Sequence, residues 1–170
     1  MLDIINSLKP FFEDSYRRIN VREYARMQKI SPPTASKILE EYYHRGLLKR
    51  ESEKQYIYYF ANGENLNFID LSRIYWRNTL EDAGFIKFLE KEFSNSQVIL
   101  FGSLSKAEAK IDSDIDIAIF TPEKKEIVVE EFKKKLRRDI QIFVFKDRES
   151  VKNKDLLNNI LNGYKLRGNW

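Results

Sequence analysis

Apolar positions recur at helical spacing through residues 2–13, where Leu2, Ile5, Leu8 and Phe12 fall near one face. That periodicity predicts an opening amphipathic helix. A short helix is predicted over 21–29. Ser31-Pro32-Pro33 reads as a turn whose prolines suit the first turn of the next helix. That helix runs to about Arg45, with Ala35, Ile38, Leu39 and Tyr42 at helical spacing and Gly46 where a C-terminal cap belongs. Residues 47–51 and 55–61 read as two strands around Ser52-Glu53-Lys54, and Asn62-Gly63 breaks the pattern. Residues 65–93 return to helical spacing in two pieces, joined near Gly84. The period then shortens. Val98–Phe101, Asp114–Phe120 and Asp139–Phe145 are strand-like, 123–137 reads as a charged amphipathic helix, 151–162 as a closing helix, and Gly163 to Trp170 as a tail.

The resulting fold class is α+β. Helices and a β-hairpin come first (1–64), a helical connector follows (65–80), and a small α/β domain with a short mixed sheet closes the chain (81–170). The 170 residues suit one ordinary domain or two small ones. There is no cysteine, which excludes disulfides, thiol catalysis and Cys-ligated metals. The one histidine, His44, makes a His-based triad improbable and reads as structural at a helix end. No apolar run has the length of a transmembrane helix, and the acidic start has no signal-peptide layout, so the cytoplasm is the expected compartment, with no membrane partner.

Charge is unevenly placed. Residues 15–50 carry nine Lys/Arg against three acids, a local excess of +6 in a chain whose formal net charge is only +4. A basic excess confined to one segment is the footprint expected of a polyanion-binding face. The order of that segment is helix, tight turn, helix, hairpin, with Val21, Ala25 and Ile30 at packing positions. The stretch VREYARMQKISPPTASKILEEYYHRGLLKRE resembles the winged helix-turn-helix family. The resemblance implies duplex-DNA binding by the second helix. Arg22, Ser31, Thr34, Ser36, Lys37, Arg45 and Lys54 would then meet phosphates or base edges. The tyrosines of 42–59 read as core and interface positions.

The chemistry lies further on. Val98-Ile99-Leu100-Phe101 runs directly into Gly102-Ser103, and Asp114-Ile115-Asp116 follows. On a strand, Asp114 and Asp116 point to the same face. Two carboxylates so close repel each other, and a divalent cation between them relieves that. Asp139 opens another strand and is the candidate third carboxylate, with Asp147 a nearby alternative. Three such oxygen donors suit Mg²⁺ or Mn²⁺ completed by substrate phosphates. Gly102 lets a phosphate approach the backbone, the Ser103 hydroxyl can hold it, and Lys106 can neutralise it.

The run FGSLSKAEAKIDSDIDIAIF resembles the signature of the DNA polymerase beta-like nucleotidyltransferases, over about residues 80–165, and looks like their minimal, mostly prokaryotic form. The resemblance implies transfer of a nucleoside monophosphate from an NTP, ATP favoured, to an acceptor. The implied chemistry is a two-metal transfer: Asp114 and Asp116 hold both ions, Asp139 helps hold one and acts as base near the acceptor hydroxyl, and all three are the metal-binding and catalytic residues. Gly102, Ser103 and Lys106 bind the nucleotide. The phosphate loop departs from the family, which often has Arg-x-Arg-Gly after Gly-Ser; this chain has Leu104-Ser105-Lys106-Ala107. Only 31 residues follow Asp139, so a second molecule or a second copy (a homodimer) is expected to complete the site. Similar minimal proteins are often partners of a HEPN ribonuclease toxin, which makes such a toxin the analogous acceptor. The alternative is a DNA-binding regulator or antitoxin whose nucleotidyltransferase-like domain senses nucleotide or docks a partner without turnover.

Overall fold

The computed structural model describes residues 2–123 and 125–168, with the side chains of Leu2 and Asp3 outside the described set. The chain forms two compact units. One is Met1–Ser72 with Ala107–Ile111; the other is Arg73–Lys106 with Asp112–Trp170. Among the described residues no helix is long and apolar enough to cross a membrane.

In the first unit, α1 (Leu2–Glu13) is followed by a two-residue strand β1 (Ile19–Asn20), helices α2 (Val21–Gln28) and α3 (Pro32–His44), and the hairpin β2 (Leu48–Glu53) and β3 (Tyr56–Ala61). Of the face predicted for α1, Ile5, Leu8 and Phe12 are buried, and Phe11 joins them; the Leu2 side chain lies outside the described residues. The α2 N-cap is Asn20, whose side chain accepts from the Glu23 N–H at 3.0 Å. The α3 N-cap is Ser31, which accepts from Thr34 N–H. Both satisfy amide groups a helix start leaves unpaired. Ala25, buried on α2, also accepts the Ile30 N–H at 3.0 Å, so the turn between the helices is closed by the helix it leaves. The sheet order is β1-β3-β2, all antiparallel. The strand β1 was not expected: two residues are too few to show a period.

One polar cluster ties α3 to the hairpin. Tyr59, buried on β3, donates its hydroxyl to Glu40 of α3, and Arg50 of β2 grips both oxygens of the same carboxylate at 2.8 and 2.9 Å while lying over the Tyr43 ring. The Tyr59 hydroxyl bond, ahead of the Arg50 charge, holds the Glu40 carboxyl below the usual carboxylate range. Burial, and then Glu40, push the Tyr59 hydroxyl up to about 12.

Helix α4 (Leu66–Asp82) contains the division between the units, and α5 (Phe85–Glu92) follows after Gly84, which adopts a left-handed φ of 78° at the join. The second unit is built on β4 (Gln97–Phe101), β5 (Ile115–Phe120), α6 (Glu130–Leu136), β6 (Ile140–Phe145), α7 (Lys154–Leu161) and β7 (Tyr164–Arg167). The sheet order is β6-β5-β4-β7; β4 is antiparallel to both neighbours and β5 is parallel to β6. Ile99, Phe101, Ala118 and Phe120 share one face with Phe143 and Phe145, and Ile160, Leu156 and Leu157 of α7 cover it.

Two expectations need correction. The helix expected over 123–137 is confined to Glu130–Leu136. The β-branched run Ile127-Val128-Val129 lies outside it, consistent with the χ1 cost such residues carry in helices. The tail from Gly163 contains β7, whose alternation buries Leu166 and exposes Lys165 while it pairs along β4. Residues 169–170 lie outside the described set.

Replacing Tyr59 by Phe removes one hydrogen bond to a charged acceptor and is expected to cost roughly 1.5–3 kcal/mol at neutral pH. Glu40 has a lowered carboxyl pKa, so its contribution is whole above the ordinary carboxylate range and fades as pH falls through the lowered value. Urea denaturation of the wild type and Y59F at pH 7 and near pH 3 should therefore show a deficit that shrinks in acid.

Candidate nucleotide site

The acids are placed by strand pairing. Asp116 on β5 lies opposite Phe101 of β4 and opposite Gln141 of β6. Because alternate residues share a face, Asp116 and Gln141 stand on the face whose apolar part is Ile99, Phe101, Ala118 and Phe143; Asp114, just before β5, is joined to them by the hydrogen bond from Gln141. Asp116 is half-buried, and burial raises its carboxyl above the usual range, with the Asp114 charge adding to the shift. Both effects disfavour a second negative charge, so the pair is an unneutralised like-charge couple of the kind a cation would relieve.

The turn after β4 brings Gly102 against Asp116. Gly102 has φ of 72°, a left-handed conformation that favours glycine. A side chain there would collide with the Asp116 carboxylate, whose Cγ would stand 3.2 Å from the new Cβ. Glycine at 102 is thus favoured by its own backbone, and a side chain there would have to displace the Asp116 carboxylate. Ser103 and Lys106 are half-buried; among the described residues neither the Ser103 hydroxyl nor the Lys106 ammonium has a protein partner. The loop is held from behind. Ser105, fully buried, donates its hydroxyl to the Gly102 carbonyl at 2.9 Å, and Arg73 Nε donates to the Ser105 carbonyl at 2.8 Å. Ala107 closes the loop at φ 58°, a conformation that strains any residue with a Cβ.

Asp139 is not drawn into the pair. Its side chain is 74% exposed and its nearest ion partner is Lys133, at 3.5 Å; only its backbone carbonyl touches β5, accepting from Ile115 N–H at 2.8 Å. Asp147 lies past the opposite end of β6 and accepts from the Ser150 N–H at 2.8 Å. Among the described residues no group of three His, Cys, Asp or Glu side chains is placed to hold a metal. Gln141 stands there instead, donating Nε2–H to Asp114 Oδ2 at 2.5 Å. The segment before Asp114 is fixed by Arg138, which donates to the Ser113 carbonyl at 2.7 Å and lies over the Trp76 ring. Gln141 left one trace in the sequence: it is a lone polar residue in the apolar run Ile140 to Phe145. Ser105, Arg73 and Arg138 left none.

The residues proposed for DNA lie in the first unit. Arg22, Thr34 and Lys37 are exposed and Ser36 is half-buried. Ser31 and Thr34 share a hydroxyl contact of 2.8 Å at the start of α3. Arg45 pairs with Glu41 at 3.3 Å, and Lys54 sits at the hairpin turn with φ of 56°.

Residues 83–163 match the family model described as a nucleotidyltransferase domain. The match contains Gly102, Ser103, Lys106, the two paired carboxylates, Asp139 and Gln141, and it supports nucleotidyl transfer in general. No curated protein and no solved structure matches the chain.

Replacing Gly102 by Ala should cost about 1–2 kcal/mol for the left-handed backbone, and should turn the Asp116 carboxylate aside. Urea denaturation is expected to show the loss for G102A and none for Ser103→Ala. A Mn²⁺ titration should show weaker cation binding for G102A alone when no nucleotide is present.

Proposed function

We propose that the second unit transfers a nucleoside monophosphate from an NTP, ATP favoured, to an acceptor hydroxyl. What carries the reading is the convergence of Asp114, Asp116 and the Gly102–Lys106 turn within the segment that matches the nucleotidyltransferase model. Asp114 and Asp116 would hold Mg²⁺ or Mn²⁺: their uncompensated pairing on one face fits a divalent cation. Such an ion, when bound, supplies charge stabilisation to the phosphates of the substrate. Ser103 would donate its hydroxyl to a terminal phosphate oxygen, and Lys106 would offset the charge of the departing pyrophosphate. Asp139 is the proposed base toward the acceptor, a role for which its contact with Lys133 must open. The acceptor is a separate molecule, by analogy a HEPN-type toxin, or a second copy of this chain.

The first unit is proposed to be a winged helix-turn-helix that binds duplex DNA. The observation in favour is how its cations are paired. Arg17, Arg18, Arg45, Lys49 and Arg50 each contact an acid. Arg22, Arg26, Lys29 and Lys37 have no acidic partner among the described residues. The first three line a concavity of about 600 Å³ with Ala25, Ile30 and Pro32. Unpaired cations on α2 and the first half of α3 are the ones available to phosphates. A regulator that senses nucleotide without turnover is the second reading, favoured by the lack of a three-carboxylate cluster among the described residues.

Incubation with labelled ATP, Mg²⁺ and the products of neighbouring genes is expected to transfer label to one of them, and D114N/D116N to abolish it. Nucleotide-dependent Mn²⁺ binding that survives D114N/D116N places the site elsewhere. Bound nucleotide with no label transferred favours the regulator. On duplex DNA, R22A/R26A/K29A should weaken binding and flatten its salt dependence by about three charges' worth of slope, whereas Arg45→Ala should change little; the reverse pattern rejects the proposed face.

A further inference from the structure

We infer that Gln141 is the third donor of the carboxylate site, a positioning residue that pins Asp114 and keeps the site at two negative charges, so that it holds a single divalent cation with its nucleotide. The inference rests on the reading of this face as a nucleotide site.

Three observations carry it. First, the parallel pairing of β5 with β6 sets Gln141 beside Asp116 without any shift of register, so its position follows from the sheet. Second, its amide nitrogen donates to Asp114 Oδ2 at 2.5 Å. An amide that donates with its nitrogen has its carbonyl oxygen left as a neutral ligand. Third, among the described residues no third acid stands with the pair. Asp139 is turned to Lys133, and Asp147 bonds to Ser150 past the far end of the strand.

The protein's own ligands bear on the number of cations. Two carboxylates serve one divalent ion, whereas a second ion would draw its anionic ligands from the nucleotide's phosphates alone, with a neutral carbonyl where a third carboxylate would stand. A carboxylate in place of the amide would also stand against Asp114, where it could not donate and would repel unless a cation lay between them. Residue 141 therefore selects how many ions the face accepts. The same hydrogen bond holds Asp114 in one orientation, which lowers the cost of ordering it when the cation arrives.

The test is Mn²⁺ binding by the full chain, followed by electron paramagnetic resonance and calorimetry with a non-hydrolysable ATP analogue. The wild type should bind one Mn²⁺ per chain. Gln141→Ala should keep that stoichiometry and weaken binding roughly tenfold, the scale of one lost hydrogen bond to a charged group. Gln141→Glu should add a second, nucleotide-dependent Mn²⁺. Residue 141 is exposed, so all three proteins should fold alike, which circular dichroism checks. Two ions on the wild type, an unchanged affinity in Q141A, or a single ion on Q141E each overturn the role given to Gln141. Failure of the site reading looks different: the wild type then binds no Mn²⁺ with nucleotide, or D114N/D116N binds it as the wild type does.

Discussion

Repulsion between Asp114 and Asp116 organises the functional face of the second unit. Asp116 faces out of β5 next to Asp114, just before the strand, and burial of Asp116 removes the solvent that would screen the two. The neighbours answer that repulsion. Gln141 presents a donor to Asp114, Arg138 fixes the chain just before it, and Gly102 leaves Asp116 the room its carboxylate occupies. Ser105 and Arg73 brace the loop that Gly102 begins. Among the described residues none of these groups carries a positive charge to the pair.

Within-strand geometry was legible and between-strand geometry was not. Asp114 and Asp116 could be placed together from their spacing, because a period of two needs no knowledge of partners. The Gly-Ser turn was legible for the same reason: it directly follows an apolar run. Which residue of β6 stands beside Asp116 depends on how β6 lies along β5, a register between segments far apart in sequence that the run Asp139–Phe145 does not display; the residue is Gln141. Charge alternation carries a helical pattern across a β-branched stretch that α6 leaves out, and the four residues of β7, paired along a sheet edge, have the composition of an ordinary polar tail.

Charge counting had a similar limit in the first unit. The excess over residues 15–50 was plain in the sequence, but a count cannot say which cations are already engaged. Glu51 and Glu53 reach back to Arg18, Glu64 takes Lys49, and Glu40 takes Arg50. Exposed pairs of this sort contribute little to stability. Their effect here is spatial: they leave the unpaired charge on α2 and the first half of α3, and Arg45, equally basic in sequence, ends up beside Glu41.

The crowding of Gly102 against Asp116 has a consequence for how such chains can drift. The two positions are not independent. While a carboxylate stands at 116, a Cβ at residue 102 has to turn it aside. A lineage that abandoned the acid for a smaller residue would relax the steric half of that restriction, with only the left-handed backbone still favouring glycine. Loss of the acid should therefore tend to precede loss of the glycine. A chain that still carries glycine here after its carboxylate has gone would be keeping it for the backbone alone.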